Sequence, residues 1–158
     1  MSIEDTRNWF AEAVPDITKR NQVCQLGVHV EEFGEMLDAI ECPKQAVLLA
    51  ELNAKVKLLA NALKQDPEAT VIVKDRQELL DAMVDQIVTA TGVSYMFGMD
   101  VVGGLKEINA SNYSKFSNGK AIFDSNGKIA KNPETYFKAN LTPFAGTDPF
   151  AGTDPVIA

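Results

Sequence analysis

Histidine and cysteine are nearly absent: the 158 residues contain one His, His29, and two Cys, Cys24 and Cys42. A single histidine cannot supply the paired Glu-x-x-His helices of a ferritin-like di-iron bundle, which sets that chemistry aside. The cysteines form no C-x-x-C pair and have no paired histidines nearby. Neither a zinc site nor a disulfide is expected, and Cys24 reads as a small buried apolar residue. No apolar run approaches the ~20 residues that cross a bilayer. Residues 1–9 are acidic and polar, unlike a secretory signal, so the expected location is the cytoplasm, with no membrane partner. Positive charge is scarce as well. Fifteen basic against 22 acidic residues give a net charge of -7, which argues against a general nucleic-acid binder.

What is present suits one globular domain with a hydrophobic core: 46% apolar and 23% charged residues. A short helix is expected over residues 3–14, anchored by Trp9 and Phe10. A second, over 21–40, carries Val23, Leu26, Val30, Phe33, Leu37 and Ile40 at steps of three and four, the seam of a bundled helix. A third over 45–63 is rich in Ala and Leu and is broken at Asp66-Pro67. Residues 71–73 are β-branched and fit either strand or loop. Asp75, with Glu78 three residues on, outlines a capping box for a fourth helix that runs to about Phe97 and ends at Gly98. Asp100 opens a fifth, to about Lys115. Beyond Phe116, the pairs Asn118-Gly119 and Asn126-Gly127 predict turns around a small two-stranded flap. The tail repeats Pro-Phe-Ala-Gly-Thr-Asp in tandem, which disfavours regular structure. The fold expected is all-α, a bundle of about five helices at residues 1–141 with a C-terminal flap, then an extended tail at 142–158. Apolar seams on more than one side of so short a bundle also predict a homo-oligomer, dimer or tetramer.

The carboxylates carry the chemistry. Glu31, Glu32, Glu35 and Asp38 share the second helix, and residues three or four apart lie on one face. Between Arg20 and Lys44 there is no Lys or Arg, so these acids have no cationic partner at helical spacing. Glu78, Asp81 and Asp85 repeat the pattern on the fourth helix, again without a positive charge between Arg76 and Lys106. A solvated acidic face is the plain explanation of either stripe alone. Two helices that each offer hard oxygen ligands, with no usable histidine pair, point instead to Mg²⁺ or Mn²⁺. The lysines are gathered elsewhere: six of them against three acids between Lys106 and Lys138 make that segment +3 and leave the remainder at -10.

Taken in order along the chain, these residues resemble a family. The string HVEEFGE from His29 to Glu35, then ELLDAMVD from Glu78 to Asp85, Gly92, and EINASNYSK from Glu107 to Lys115, is similar to the MazG-like and phosphoribosyl-ATP pyrophosphohydrolase-like all-α pyrophosphatases. The segment from Gly119 to Lys131 resembles the stretch after the last helix in compact phage and bacterial members. The likeness runs over residues 22–141. It implies Mg²⁺ held by an E-x-x-E helix and an E-x-x-D helix, oligomers built on dimers, and release of pyrophosphate from a nucleoside triphosphate. By position, Glu32 and Glu35 match the first motif, with Glu31 an extra acid to orient or deprotonate water. In the second, Glu78 and Asp81 keep the spacing, but Asp81 and Asp85 are preferred as metal ligands because the apolar run over 86–92 comes after Asp85 as it does in relatives. Lys115, Lys128 and Lys131 are the expected phosphate ligands, with Asn112 either on the ligand or capping its own helix. Lys120 and Lys138 read as ordinary surface lysines. Phage relatives imply a deoxynucleotide substrate, with dGTP or dATP expected, and the host cytoplasm as location. Trp9, Phe10, Tyr95, Phe97, Tyr113 and Phe116 fit either base stacking or core. Two alternatives stand beside this: hydrolysis of phosphoribosyl-ATP, and a non-catalytic helical scaffold for oligomerisation.

Overall fold

A computed structural model describes residues 2–124 and 128–150. Among the described residues the chain is all-helical, with five α-helices, two short 3-10 turns and two isolated β-bridges. Helix α1, Ile3–Ala13, starts from a capping box in which the Ser2 hydroxyl and the Asp5 carboxylate each satisfy the other's backbone N–H. Helix α2, Lys19–Asp38, begins two residues ahead of its apolar periodicity because Thr18 and Asn21 form a second capping box (3.1 and 2.9 Å). A 3-10 turn, Pro43–Gln45, leads into α3, Ala46–Gln65. Residues 71–73 form no strand. Asp75 Oδ1 accepts from the N–H groups of Gln77 and Glu78 and starts α4, Arg76–Met96. Gly98, at φ +70°, then closes α4: its N–H reaches the Tyr95 carbonyl and that of Met99 reaches Ser94, a Schellman ending. Asp100 caps α5, Val101–Tyr113, through the Gly103 N–H (2.9 Å).

Bridges Ser117↔Lys120 and Phe123↔Ile129 come after α5. Asn118 and Gly119 turn the first with positive φ at both positions (50° and 74°), as a type I′ turn requires. The second turn expected from the sequence, Asn126-Gly127, lies outside the described residues.

The chain divides into two compact units, each described by itself. One comprises Pro15–Ile72 and Phe123–Ala130, and the other Met1–Val14, Val73–Ile122 and Lys131–Ala158. In the first, α2 and α3 pack along their length, though not by the predicted seam. Val23 and Leu37 are buried (4% and 6% exposed), but Phe33 and Ile40 remain exposed. The contact runs through smaller residues. A Cβ on Gly27 would fall 2.8 Å from Lys64 Cγ and 2.9 Å from Leu63 Cβ, and one on Gly34 would lie 3.2 Å from Val56 Cγ1. Small residues spaced seven apart let the two backbones approach, and the bulky residues between them are displaced from the contact. On α3 the buried positions are Ala60, Leu63 and Lys64, while Leu48, Leu52 and Leu59 are exposed.

In the second unit, α1 rests on α5. Asn109, fully buried, accepts from the Thr6 hydroxyl (2.9 Å) and donates to the Ser2 carbonyl (3.3 Å). Trp9 stacks on Phe116 at 5.9 Å with Lys115 over its ring at 5.7 Å. The chain then returns along α5, held by Ser111 to the Phe137 carbonyl (2.8 Å), Thr135 to the Ser114 carbonyl (2.8 Å) and the Asn140 N–H to Glu107 (2.9 Å). Helix α4 is different: none of its residues is buried.

The two helical glycines separate packing from propensity. Gly27→Ala should cost about 1–3 kcal/mol, because overpacking against Lys64 and Leu63 exceeds the ~1 kcal/mol an alanine adds to a helix. At Gly92 a Cβ meets nothing within 4 Å, so Gly92→Ala should add about 0.5–1 kcal/mol. Urea unfolding of both variants checks the pair; equal effects would contradict the packing described.

Candidate functional site

Glu31 is the best-anchored of the candidate residues. Gly27 leaves room for the Lys64 side chain to cross α2, so that Lys64 reaches the carboxylate one turn further on. Lys64 Nζ donates to Glu31 Oε1 at 2.5 Å, and Lys128, next to the bridged Ile129, stands 3.7 Å from Oε2. Lys64 is only 9% exposed. The last carbonyls of α3 are closed by Arg20, which donates to those of Leu63 (2.9 Å), Lys64 and Asp66 (3.1 Å). Cations at a helix C-terminus also suit its dipole. Two turns along α2, Asp38 is gripped by Lys57 at 2.8–2.9 Å and Asn53 at 2.6 Å.

Sequence reading left these acids without cations because it looked along one helix. The partners come from α3 and from Lys128, and Lys64, Lys57 and Arg20 had no local signal to mark them. The electrostatic result is direct: the hydrogen bond from Lys64, joined by the charge of Lys128, holds the Glu31 carboxyl below its ordinary 4.5 against the opposing effect of burial. Asp38 is likewise lowered by its bonds from Lys57 and Asn53.

The other candidates are divided between the two units. Glu32 and Glu35 are exposed on α2, in the same unit as Glu31 and Lys128. Asp81 and Asp85 stand one turn apart on α4, both exposed, in the unit that also holds Asn112, Lys115 and Lys131. Among the described residues, the side chains of Glu35, Asp81 and Asp85 make no hydrogen bond or ion pair. Asn112 accepts from Lys115 at 2.7 Å, and Lys131 lies over the Tyr136 ring at 4.9 Å. Of the predicted set, then, Glu31 meets Lys128 and Asn112 meets Lys115. Within either unit, no three His, Cys, Asp or Glu among the described residues cluster closely enough to hold a metal ion. Carboxylate pairs at helical spacing are nonetheless the hard, exposed oxygen donors that Mg²⁺ takes alongside water and substrate phosphates. Trp9 and Phe116 are core, 5% and 8% exposed, whereas Tyr95 and Phe97 are exposed.

No family model matches this chain, and neither a curated protein nor a solved structure matches it. The fold defines the class, an all-α protein in which, among the described residues, no helix is long and apolar enough to cross a membrane.

The Glu31–Lys64 pair yields a pH prediction. Because folding lowers the Glu31 pKa, its stabilisation is complete above about 4.5 and is lost as pH falls through the folded value. At pH 7, Glu31→Gln should destabilise by about 1–3 kcal/mol, since it leaves the Lys64 ammonium without its carboxylate. The gap between wild type and variant should narrow as pH falls below 4.5 and through the lowered folded value; a constant gap across the range would remove the ion pair from the account.

Proposed function

We propose that this protein is a Mg²⁺-dependent nucleoside triphosphate pyrophosphohydrolase of the MazG-like type, releasing pyrophosphate and a nucleoside monophosphate. The observation that carries this reading is the set of exposed carboxylates on α2 and α4. Glu35, Asp81 and Asp85 make no side-chain bond among the described residues, on helices that offer them no cation at helical spacing. Carboxylates at helical spacing supply the hard oxygen ligands that Mg²⁺ takes alongside water and substrate phosphates. Glu32 and Glu35 on α2, and Asp81 and Asp85 on α4, are the proposed Mg²⁺ ligands. When bound, the ion neutralises phosphate charge and makes water a better nucleophile.

The chain's own residues supply the rest. Glu31 Oε1 is taken by Lys64, while Oε2, 3.7 Å from Lys128, can still accept a hydrogen bond from water. A carboxylate held below its ordinary pKa is a weak proton acceptor, so orienting the water suits Glu31 better than deprotonating it. Lys115, Lys128 and Lys131 answer the remaining phosphate charge. The water oxygen bonds to the α-phosphorus as the bond to the α–β bridging oxygen breaks, the water's proton passes to solvent, and pyrophosphate leaves. The substrate proposed is a purine deoxynucleoside triphosphate, dGTP or dATP, acted on in the cytoplasm.

With Mg²⁺ and a panel of triphosphates, purified protein should produce monophosphate and pyrophosphate. Glu35→Gln and Asp85→Asn should each lower kcat at least ~100-fold, the scale of losing a charge-stabilising group, while Glu78→Gln stays near wild type. Orthophosphate as first product, or full activity in the Glu35 variant, would overturn the proposal. Phosphoribosyl-ATP as the preferred substrate would move the protein to the neighbouring activity.

We also propose a homodimer or homotetramer. Helix α4 exposes Leu80 (65%), Val84 (49%), Ile87 (52%) and Val88 (61%), and α3 exposes Val47 (74%) and Leu58 (71%), more apolar surface than a lone helix face keeps in water. Sedimentation should give a mass above the monomer, and Leu80→Glu should shift it downward. A monomeric wild type would exclude this assembly.

A further inference from the structure

The tail carries the same six residues twice, PFAGTD at 143–148 and again at 149–154. The first copy is docked on the corner between α4 and α5, and two of its residues, Phe144 and Gly146, are fitted by the space there. The Asp100 N–H donates to the Phe144 carbonyl at 2.9 Å. The Phe144 ring lies where a side chain on Gly103 would otherwise be: a Cβ there would fall 2.5 Å from Cδ1 and 2.6 Å from Cε1. Two residues on, Gly146, at φ +64°, backs onto Gly98. A Cβ on Gly146 would sit 1.9 Å from the Gly98 carbonyl oxygen, and one on Gly98 would sit 2.7 Å from that of Thr147. Leu141 and Phe144 complete an apolar groove of about 370 Å³ with Met99, Leu105 and Ile108. The corner therefore reads a phenyl ring and, two residues on, a glycine. Phe-Ala-Gly occurs twice in the chain, at 144–146 and 150–152.

The geometry points to the α4–α5 corner as a docking site for a Phe-Ala-Gly peptide, with both repeats of the same chain as its ligands. Residues 149–154 take the site when the tail shifts by six residues. Being identical in sequence, the second repeat offers the same ring, the same small residue and the same glycine at the same spacing. Its own chain supplies it because a short tether holds a ligand at roughly millimolar effective concentration, above that of any neighbouring molecule. The shift turns residues 143–148 into an added loop, and closing that loop lowers the population of the second register. The first register therefore predominates, and the two settings displace the chain beyond the docked repeat by up to roughly 20 Å of extended chain.

Amide hydrogen exchange at Asp100 reads the docking, with the Ser111 amide inside α5 as reference for an intact fold. Phe150→Ala should leave Asp100 protection unchanged. Phe144→Ala should keep it within about tenfold of wild type, because Phe150 replaces the ring, whereas the double variant should lose about a hundredfold or more. Gly146→Ala, Gly152→Ala and their combination should repeat this pattern through backbone clash, which guards against a side-chain effect on folding. Phe144→Ala losing as much protection as the double variant would overturn the proposal, as would a double variant that loses none. Protection in Phe144→Ala should also survive tenfold dilution; protection that falls on dilution would overturn docking within one chain.

Discussion

The close approach of α2 and α3 at Gly27 is the constraint on which the candidate site depends. With no side chain at that position, the Lys64 stem lies across α2 and its ammonium arrives at Glu31. The same approach brings the end of α3 within reach of Arg20, whose guanidinium closes three of its carbonyls. Apolar burial at Val23, Leu37, Ala60 and Leu63 adds area, but side-chain area alone does not set the helix spacing. The glycines do. A methyl group at Gly27 would move α3, and with it the cation that lowers the Glu31 pKa.

This arrangement divides the acids of α2 into two kinds. Glu31 and Asp38 face α3 and are neutralised by lysines, so their negative charge is largely spent inside the unit. Glu32 and Glu35, on the same helix, are exposed. On α4 the distinction disappears, because no residue there is buried and no lysine or arginine lies between Arg76 and Lys106.

Helix positions were legible in the sequence because their boundaries are local. Asp75 and Asp100 are short polar caps, Gly98 a left-handed stop, and Pro67 a breaker, each acting within a turn of its own residue; Thr18, whose cap starts α2 ahead of the apolar period, was missed. Which face is buried was less legible. Val23 and Leu37 keep to the apolar period, but Phe33 and Ile40 obey it equally and are exposed, because Gly27 and Gly34 decide where α3 can come close. Hydrophobicity marks what a helix would bury; backbone proximity is set by what is missing. The lysines that pair with Glu31 and Asp38 are 33 and 19 residues away in sequence, beyond any spacing rule. Asn109 was invisible for the same reason: its partners, Ser2 and Thr6, lie at the other end of the chain. In the EINASNYSK string, Ser111 and Glu107 prove to be fasteners for the returning chain, while Asn112 and Lys115 are bonded to one another.

The stacking of Trp9 on Phe116 has an optical consequence. Trp9 is the only tryptophan, and the three tyrosines, Tyr95, Tyr113 and Tyr136, fall in the same unit. The α2–α3 unit contains neither residue type, so its near-ultraviolet absorbance and emission are close to blank. Indole fluorescence tracks the α1–α5 unit alone, whereas far-ultraviolet dichroism sums helices from both. In one thermal scan the two signals separate if the units melt independently and coincide if they melt as one.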